Sequence, residues 1–397
     1  QRSNMVSVLT DCPHREKLGW LEQYHLNGPA LRYEFDLTTL FAKTMGDMTD
    51  SQLASGLVPS IAPEYVQFGG ETRNAFGDSP EWGSALVLVP WQQYLFSGDL
   101  ALIRRYYDAM ARYTAYLGSR AKDSIVDYGL GDWYDIGPRG PGESQLTPKA
   151  LTATAIWYED ITVMAQAARL LDKTADAERY EALATTVARA FNARFLGEKG
   201  YATGSQTANA MPLVLGLVPA DRRAGVVEAL VADVRAKGIT AGDVGYRYLL
   251  RALADAGRSD VVFTLNNQSD KPGYGFQLKR GATALTEAWD AGEGSSQNHF
   301  MLGQINEWFY HDLAGIQPDP ARPGFQRTII RPAVVDGLDW VKAWHDTPYG
   351  RVASSWRRDG TATSFEITVP GNTTALLWLP GASAGQEVGP GTHRLRR

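Results

Sequence analysis

Three observations on the sequence predict a mainly α-helical protein, an (α/α)6 toroid barrel followed by a small antiparallel β-sandwich domain. Residues from about 26 to 315 carry helical periodicity and little strand signal. Their helices alternate with loops in the order expected for antiparallel helix pairs. At Ile316 the pattern changes to prolines and short strand-like segments. We therefore expect the barrel in residues 1–316 and the β-domain in residues 317–397.

Eleven helices are predicted before the change of pattern. Pro80 marks the start of one, and Asp99 can cap the next, in which apolar residues recur at three-and-four spacing. The predicted helices cover residues 30–49, 81–97, 100–121, 147–171, 174–195, 206–216, 220–237, 242–257, 259–268, 282–289 and 295–313. Residues 1–9 are expected to be the remainder of a twelfth, truncated helix. An open solenoid of helix pairs is the alternative, but the sequence shows no repeating period.

The predicted β-domain follows a linker that contains three prolines. Five segments combine β-branched and aromatic residues in strand-like runs. They cover residues 328–330, 340–344, 351–356, 364–369 and 375–379. Asp359-Gly360 predicts a hairpin between two of them.

Composition and charge exclude several classes of partner. The net charge of −5 offers no basic surface for nucleic acid or for an anionic membrane. No apolar run approaches the roughly 18 residues that a membrane span requires. No secretory signal is visible, but the chain begins with Gln1, so periplasmic, extracellular and cytoplasmic locations all stay open. The oligomeric state also stays open.

The numbers and spacing of cysteine, histidine and aromatic residues indicate which kinds of binding site the chain can form. Cys12 is the only cysteine, and the six histidines lack metal-ligand spacing, so we expect no metal site and no cofactor. The chain contains 11 Trp and 18 Tyr residues. Aromatic rings with polar edges suit sugar recognition, because a pyranose stacks its apolar face on them. The alternative is that a large helical protein simply buries many aromatic residues.

A charged loop at residues 11–20 is the first candidate for catalysis. Pro13 prevents a continuous helix, so the polar side chains must lie on an ordered loop. Glu16 is a candidate general acid, because Trp20 and nearby apolar residues could desolvate it and raise its pKa. Arg15 would oppose that shift unless it points at Asp11. The alternative is a surface ion network.

Glu287 is the second candidate carboxylate. It lies in a mostly apolar run, where an unpaired carboxylate is costly. Ser295 or Ser296 is expected to cap the last helix, which would place Asn298 and His299 in its first turn, facing Glu287. Alternatively, the acidic residues that follow Glu287 only solvate a Gly/Ser loop.

An ordered set of motifs resembles glycoside hydrolase family 78, the bacterial and fungal α-L-rhamnosidases. The motifs are Asp11-Cys12-Pro13-x-Arg15-Glu16-x-Leu18-Gly19-Trp20, Pro80-Glu81-Trp82-Gly83-Ser84-Ala85, Pro90-Trp91, Gly131-Asp132-Trp133, Gly242-Asp243, Gly281-Ala282-Thr283, Glu287-Ala288-Trp289-Asp290 and Gln297-Asn298-His299. The resemblance covers about residues 3–315 in the family's order, and the β-domain resembles the family's C-terminal domain.

The resemblance implies hydrolysis of terminal α-linked L-rhamnose from oligosaccharides or glycosides with inversion at the anomeric carbon. Glu16 matches the general acid, and Glu287 matches the base that activates water. The substrate-binding residues that it implies are Asp11, Arg15, Trp20, Gln23, Trp82, Asp132, Trp133, Trp289 and His299.

The sequence departs from the family pattern just after the charged loop. Glu22-Gln23 stands where the family usually has Gly-Asp, so an active-site carboxylate is replaced by the Gln23 amide, which can still hydrogen-bond a hydroxyl. Two other functions stay open. One is an exo-hydrolase or a lyase on another deoxy sugar or a uronate, with Tyr24, His25 and Arg32 as candidates for the lyase. The other is a non-catalytic carbohydrate-binding protein.

Overall fold

The computed structural model describes residues 1–397 and has the predicted architecture, an (α/α)6 barrel followed by a β-domain. Sequential helices pack against each other, as α7 on α8 and α5 on α6, and α9 packs on α11. The helices are α1 (Glu22–Leu26), α2 (Gly28–Glu34), α3 (Thr38–Ser51), α4 (Pro80–Gly83), α5 (Ala85–Ser97), α6 (Ala101–Arg120), α7 (Lys149–Leu170), α8 (Thr174–Phe195), α9 (Gln206–Val214), α10 (Arg223–Lys237), α11 (Asp243–Asp255), α12 (Ser259–Asn266), α13 (Tyr274–Lys279) and α14 (Ile305–Trp308).

Helices with local start signals are confirmed. The N-cap residue of α6 is Leu100, and Asp99, one residue earlier, accepts the backbone N–H of Ala101 at 2.8 Å. The apolar stripe of α6 is buried, and α8 has the predicted bounds. At the N-terminus the structure has only a short 3-10 turn, Arg2–Asn4.

Two predicted helices are interrupted. The helix expected at 30–49 breaks into α2 and α3 at Phe35, whose backbone is extended, and the Asp36 carboxylate accepts the Thr38 N–H at 3.0 Å to begin α3. The helix expected at 81–97 breaks at Ser84, whose hydroxyl donates to Asp160 at 2.7 Å. The Asp36 bond is local and competes with a continuous helix, whereas the Ser84 bond ties the break to α7.

The helix predicted at 282–289 is wrong, and the helix predicted at 295–313 is wrong over residues 295–304. Glu287 N donates to Ser296 O at 2.9 Å, and His299 N donates to Leu285 O at 2.8 Å. These backbone groups are therefore paired between the two segments instead of within a helix. Ser296 does not cap a helix, and Asn298 and His299 lie in irregular structure. Helical structure resumes only at α14 and the π-helical turn Phe309–Leu313.

The β-domain consists of two four-stranded sheets. Their orders are β1-β2-β6-β7 and β3-β4-β5-β8, and all pairs are antiparallel except β2 with β6. The strands are β1 (Ile316–Pro318), β2 (Arg327–Ile330), β3 (Trp340–Thr347), β4 (Gly350–Asp359), β5 (Ala362–Val369), β6 (Thr374–Leu377), β7 (Gln386–Val388) and β8 (Gly391–Arg396). The hairpin at Asp359-Gly360 is confirmed. The strands β1, β7 and β8 were not predicted, because β1 and β7 contain only three residues each and β8 is largely polar and exposed.

Each domain has its own hydrophobic core, and Tyr33 joins them. Tyr33 lies on α2 but packs in the β-domain core, and its hydroxyl donates to Ile316 O at 2.6 Å. From the other side, the Trp356 indole N–H donates to Leu313 O at 2.8 Å. No helix of the chain is both long enough and apolar enough to span a bilayer.

Candidate active site

A cavity of about 280 Å³ lies where the charged loop meets the segment around Glu287. This size is near the lower end of small-molecule sites, which span about 300–1,000 Å³. The lining side chains come from distant parts of the chain and combine carboxyl groups with aromatic rings. They are Asp11, Glu16, Trp20, Glu22, Phe68, Phe76, Trp82, Leu130, Trp133, Glu287, His299 and Met301.

The charged loop is anchored at both ends. The Asn4 amide donates to the carbonyls of Thr10 and Asp11 at 2.8 and 3.0 Å. At the other end, Ala62 N donates to Gly19 O at 3.2 Å. A Cβ on Gly19 would lie 2.9 Å from Ala62 O, so this close approach requires glycine. The anchors hold the loop as one wall of the cavity.

Asp11 and His299 form a buried polar corner. One Asp11 oxygen accepts the Cys12 N–H at 2.6 Å, and the other lies 3.6 Å from His299 Nε2. Burial and the nearby carboxyls of Glu22 and Glu16 raise the pKa of Asp11. Burial, with smaller contributions from Arg15 and His14, lowers the pKa of His299 to about 3. Neither ring nitrogen of His299 has a hydrogen-bond partner in the protein, so a neutral imidazole is available to a ligand.

Glu16 is exposed at the mouth of the cavity. Its Oε1 accepts a hydrogen bond from the Cys12 thiol at 3.2 Å. We expected Trp20 to desolvate Glu16, but Trp20 instead stacks on Phe68 with ring centroids 5.3 Å apart. The carboxyl group of Glu16 is therefore open to water and to a ligand.

Glu287 is partly buried, and its neighbours are hydrogen-bond donors or cations. Its Oε2 accepts the Ser296 N–H at 2.8 Å and lies 3.8 Å from Arg15 Nη1. Arg15 thus pairs with Glu287 and not with Asp11. Charged donors of this kind orient a carboxylate as a hydrogen-bond acceptor.

Aromatic side chains form the apolar wall. The predicted Trp20, Trp82 and Trp133 all line the cavity. Phe76 packs edge-on against Trp133, with centroids 5.5 Å apart. This wall offers flat apolar surface opposite the carboxyl groups, the combination that suits a sugar ring.

Three of the predicted substrate-binding residues lie behind the cavity wall. The Gln23 amide donates to Glu22 at 2.6 Å. Asp132 accepts the N–H groups of Gly242 and Gly245 at 3.0 and 2.7 Å. Burial, followed by the nearby Asp135, raises the pKa of Asp132 to about 7. The indole of Trp289 donates to Ala241 O at 2.9 Å.

Five lining residues were not predicted as site residues, namely Glu22, Phe68, Phe76, Leu130 and Met301. Phe68 and Phe76 lie in a long irregular segment before α4, where no motif or periodicity marks them. Glu22 was noted only as a departure from a family pattern.

One group of side chains has the proximity that a metal site needs. Ligand atoms of Asp11, Cys12 and His299 lie within 4.8 Å of one another. Burial and the Asp11 carboxylate raise the pKa of the Cys12 thiol, and the thiol hydrogen bond goes to Glu16. A metal needs the thiolate form, so this trio is poorly suited to hold one.

Comparisons with known proteins give one family. The family described as the bacterial alpha-L-rhamnosidase 6 hairpin glycosidase domain matches residues 1–313. The bacterial alpha-L-rhamnosidase C-terminal domain matches residues 315–394. An α-L-rhamnosidase of Streptomyces avermitilis is 29% identical over 99% of this chain and 40% of its own length. One from Formosa agariphila is 28% identical over 96% of this chain and 42% of its own length.

Solved structures of α-L-rhamnosidases are also similar to this chain. An α-L-rhamnosidase from Dictyoglumus thermophilum has a TM-score of 0.91 at 28% identity, over 99% of this chain and 47% of that one. The Streptomyces avermitilis α-L-rhamnosidase complexed with L-rhamnose has a TM-score of 0.90 at 28% identity, over 100% of this chain and 40% of that one. The chain therefore spans less than half the length of these relatives.

Proposed function

The chain belongs to the bacterial α-L-rhamnosidase family in both its six-hairpin glycosidase domain and its C-terminal domain, and from this premise we propose that it hydrolyses terminal α-linked L-rhamnose from oligosaccharides or glycosides. The observation that carries the proposal is the placement of Glu16 and Glu287 in one cavity with an aromatic wall. Two carboxyl groups and a stacking surface are the minimum that glycoside hydrolysis requires.

The proposed mechanism is inverting. Glu16 donates its proton to the glycosidic oxygen as the bond to the anomeric carbon breaks. Glu287 removes a proton from a water molecule, whose oxygen attacks the anomeric carbon from the opposite face. Glu287 is oriented as an acceptor by Ser296 and Arg15, and Glu16 is open at the mouth, where a leaving group can reach its carboxyl group.

The remaining predicted residues have either contacting or positioning roles in this proposal. Asp11 and His299 bind sugar hydroxyls, and the tryptophan wall receives the apolar face and the methyl group of rhamnose. Gln23, Asp132 and Trp289 support the wall from behind through the hydrogen bonds described above. We also propose the division into a barrel (1–316) and a β-domain (317–397), with β1, which begins at Ile316, at the junction.

The lyase alternative loses its candidate residues. Tyr24, His25 and Arg32 are buried and do not line the cavity. The Tyr24 hydroxyl accepts the Leu9 N–H at 2.7 Å, and the Arg32 guanidinium donates to Gln92 and Gln93 at 2.9 and 3.1 Å. These hydrogen bonds join parts of the folded chain to each other and do not point to a ligand.

Hydrolysis of p-nitrophenyl α-L-rhamnoside by the chain tests the proposal. Because each carboxyl group acts in the reaction, Glu16→Gln and Glu287→Gln should each lower kcat by about 10²–10⁴-fold. Glu293→Gln, in an exposed part of the same loop as Glu287, is the matched control and should leave kcat unchanged. Rhamnose binding without turnover by the unmodified chain would instead favour a carbohydrate-binding protein.

A further inference from the structure

Glu22 has a carboxyl oxygen with no partner in the protein. The side chain lines the cavity although the residue is only 3% exposed. Its Oε1 accepts the Gln23 amide N–H at 2.6 Å, whereas Oε2 is buried and makes no hydrogen bond. Buried polar atoms in folded proteins are nearly always satisfied, so an orphan oxygen on a side chain that lines a cavity indicates a partner that the protein itself does not supply.

The carboxyl group of Glu22 is held in place from behind. The Gln23 side-chain N–H group that donates to it also lies 3.3 Å from Asp243 Oδ2 as a donor, and the Gln23 side-chain oxygen accepts from the Asn27 side-chain amide at 2.8 Å. This chain of hydrogen bonds fixes Oε1 and leaves only Oε2 free. Binding groups that are preorganised in this way lose little conformational entropy when a ligand arrives.

The surroundings of Glu22 favour its neutral form. Burial, followed by the charge of Asp243, raises the pKa of Glu22 well above its usual range. Oε1 already accepts a hydrogen bond, so the proton belongs on Oε2, where it can be donated into the cavity.

Resting on the proposed function, we propose that Glu22 is a specificity-determining sugar ligand, whose free Oε2 exchanges a hydrogen bond with a hydroxyl of the terminal sugar. Glu22 thus adds a third sugar-binding side chain to the buried pair Asp11 and His299. Gln23 positions Glu22 and makes no sugar contact of its own.

The same geometry restricts the class of ligand. Four carboxyl groups line the cavity, from Asp11, Glu16, Glu22 and Glu287, and no lysine or arginine is among the lining residues. A neutral sugar can hydrogen-bond to these carboxyl groups whether they are protonated or not, whereas no lining cation can pair with the carboxylate of a uronate. The ligand is therefore a neutral, hydroxyl-bearing sugar.

Isothermal titration of L-rhamnose into the whole chain tests the proposal, together with kcat and KM for p-nitrophenyl α-L-rhamnoside. Glu22→Ala should weaken rhamnose binding about 10- to 100-fold and raise KM more than it lowers kcat, because a ligand hydrogen bond is lost. Glu22→Gln keeps one donor facing the cavity and should weaken binding about tenfold or less. Glu81→Gln is the matched control, because Glu81 is fully buried but bonded to Ser79 and Thr152 outside the cavity.

Thermal unfolding separates ligand binding from a structural role. Glu22→Ala removes the acceptor of the Gln23 amide and should lower Tm, so its affinity is measured well below its Tm, whereas Glu22→Gln keeps that acceptor and should keep Tm. Unchanged affinity in folded Glu22→Ala, or a loss of affinity in Glu22→Gln that accompanies a lowered Tm, overturns the inference but leaves the proposed function standing. If the unmodified chain neither binds L-rhamnose nor cleaves the rhamnoside, the proposed function fails and the inference fails with it.

Discussion

Two histidines are buried in the barrel without charge. Burial lowers the pKa of His25 and of His299 to about 3. His25 donates its Nε2 hydrogen to Glu81 O at 2.7 Å, which fixes the neutral imidazole in the folded state. In the unfolded chain each histidine takes up a proton near pH 6.5. Their burial therefore stabilises the fold above pH 6.5, and this contribution is lost as the pH falls toward 3.

We predict that His25→Gln flattens the acid side of the stability profile. Glutamine can also donate to Glu81 O but does not titrate. Between pH 6 and pH 4 the unmodified chain should lose up to about 1.4 kcal/mol per pH unit more than the variant, because one proton fewer is bound on folding. Urea unfolding at several pH values measures this difference. Parallel profiles would show that His25 is charged in the folded protein.

Neighbouring residues on a short helix show what the sequence could not reveal. Glu22 and Gln23 are adjacent on α1, and successive helical side chains point in different directions. The motif comparison directed attention to Gln23, but the orientation of α1 turns Glu22 toward the cavity and Gln23 into the barrel. The tryptophans at 20, 82 and 133 were predictable because each lies inside a recognisable motif.

At the scale of elements, the paired segments around Glu287 and His299 organise the site. Ser296 provides the backbone N–H that orients Glu287, and Leu285 provides the carbonyl that places His299. Helices such as α6 and α8 could be predicted from their local start and periodicity. The pairing of the segments around Glu287 and His299 could not be predicted. Its hydrogen bonds join residues about a dozen positions apart, and neither segment has a helical or strand period.

We predict that Ser296→Pro lowers kcat while the barrel remains folded. Proline removes the N–H that Glu287 accepts, so the proposed base loses its orientation and kcat should fall at least about tenfold. Ser296→Ala keeps the N–H and loses only the hydroxyl, so it should retain most activity. Rates on p-nitrophenyl α-L-rhamnoside, with circular dichroism to confirm folding, provide the comparison. Equal activity of the two variants would count against this role of Ser296.

At the scale of the whole molecule, hydrogen bonds and shared packing join the barrel and the β-domain. Trp356 and Ser354 on β4 donate to the carbonyls of Leu313 and Ala314 at 2.8 and 2.6 Å. The fold class was predictable because helical periodicity ends and strand patterns begin near one position. The cavity was not predictable, because Glu16 and Glu287 are separated in the sequence by most of the barrel. The sequence alone does not show that their two loops meet.

We predict that Trp356→Phe destabilises the molecule without altering the site. It leaves the buried Leu313 carbonyl without its donor, which should cost about 1–3 kcal/mol of unfolding free energy. KM should not change, because Trp356 packs in the β-domain core. Trp340→Phe, at an exposed position of the same domain, is the control for thermal unfolding. A normal Tm for Trp356→Phe would mean that this contact does not stabilise the junction.

The most direct test of the central claim is the configuration of the first product. Proton NMR of an α-L-rhamnoside, followed from the moment the chain is added, distinguishes the anomers before they interconvert. An acid at Glu16 and a water-activating base at Glu287 predict that β-L-rhamnose is released first and that the α-anomer accumulates only by mutarotation. Initial release of α-L-rhamnose would contradict the account, because it requires one of these carboxylates to act as a nucleophile.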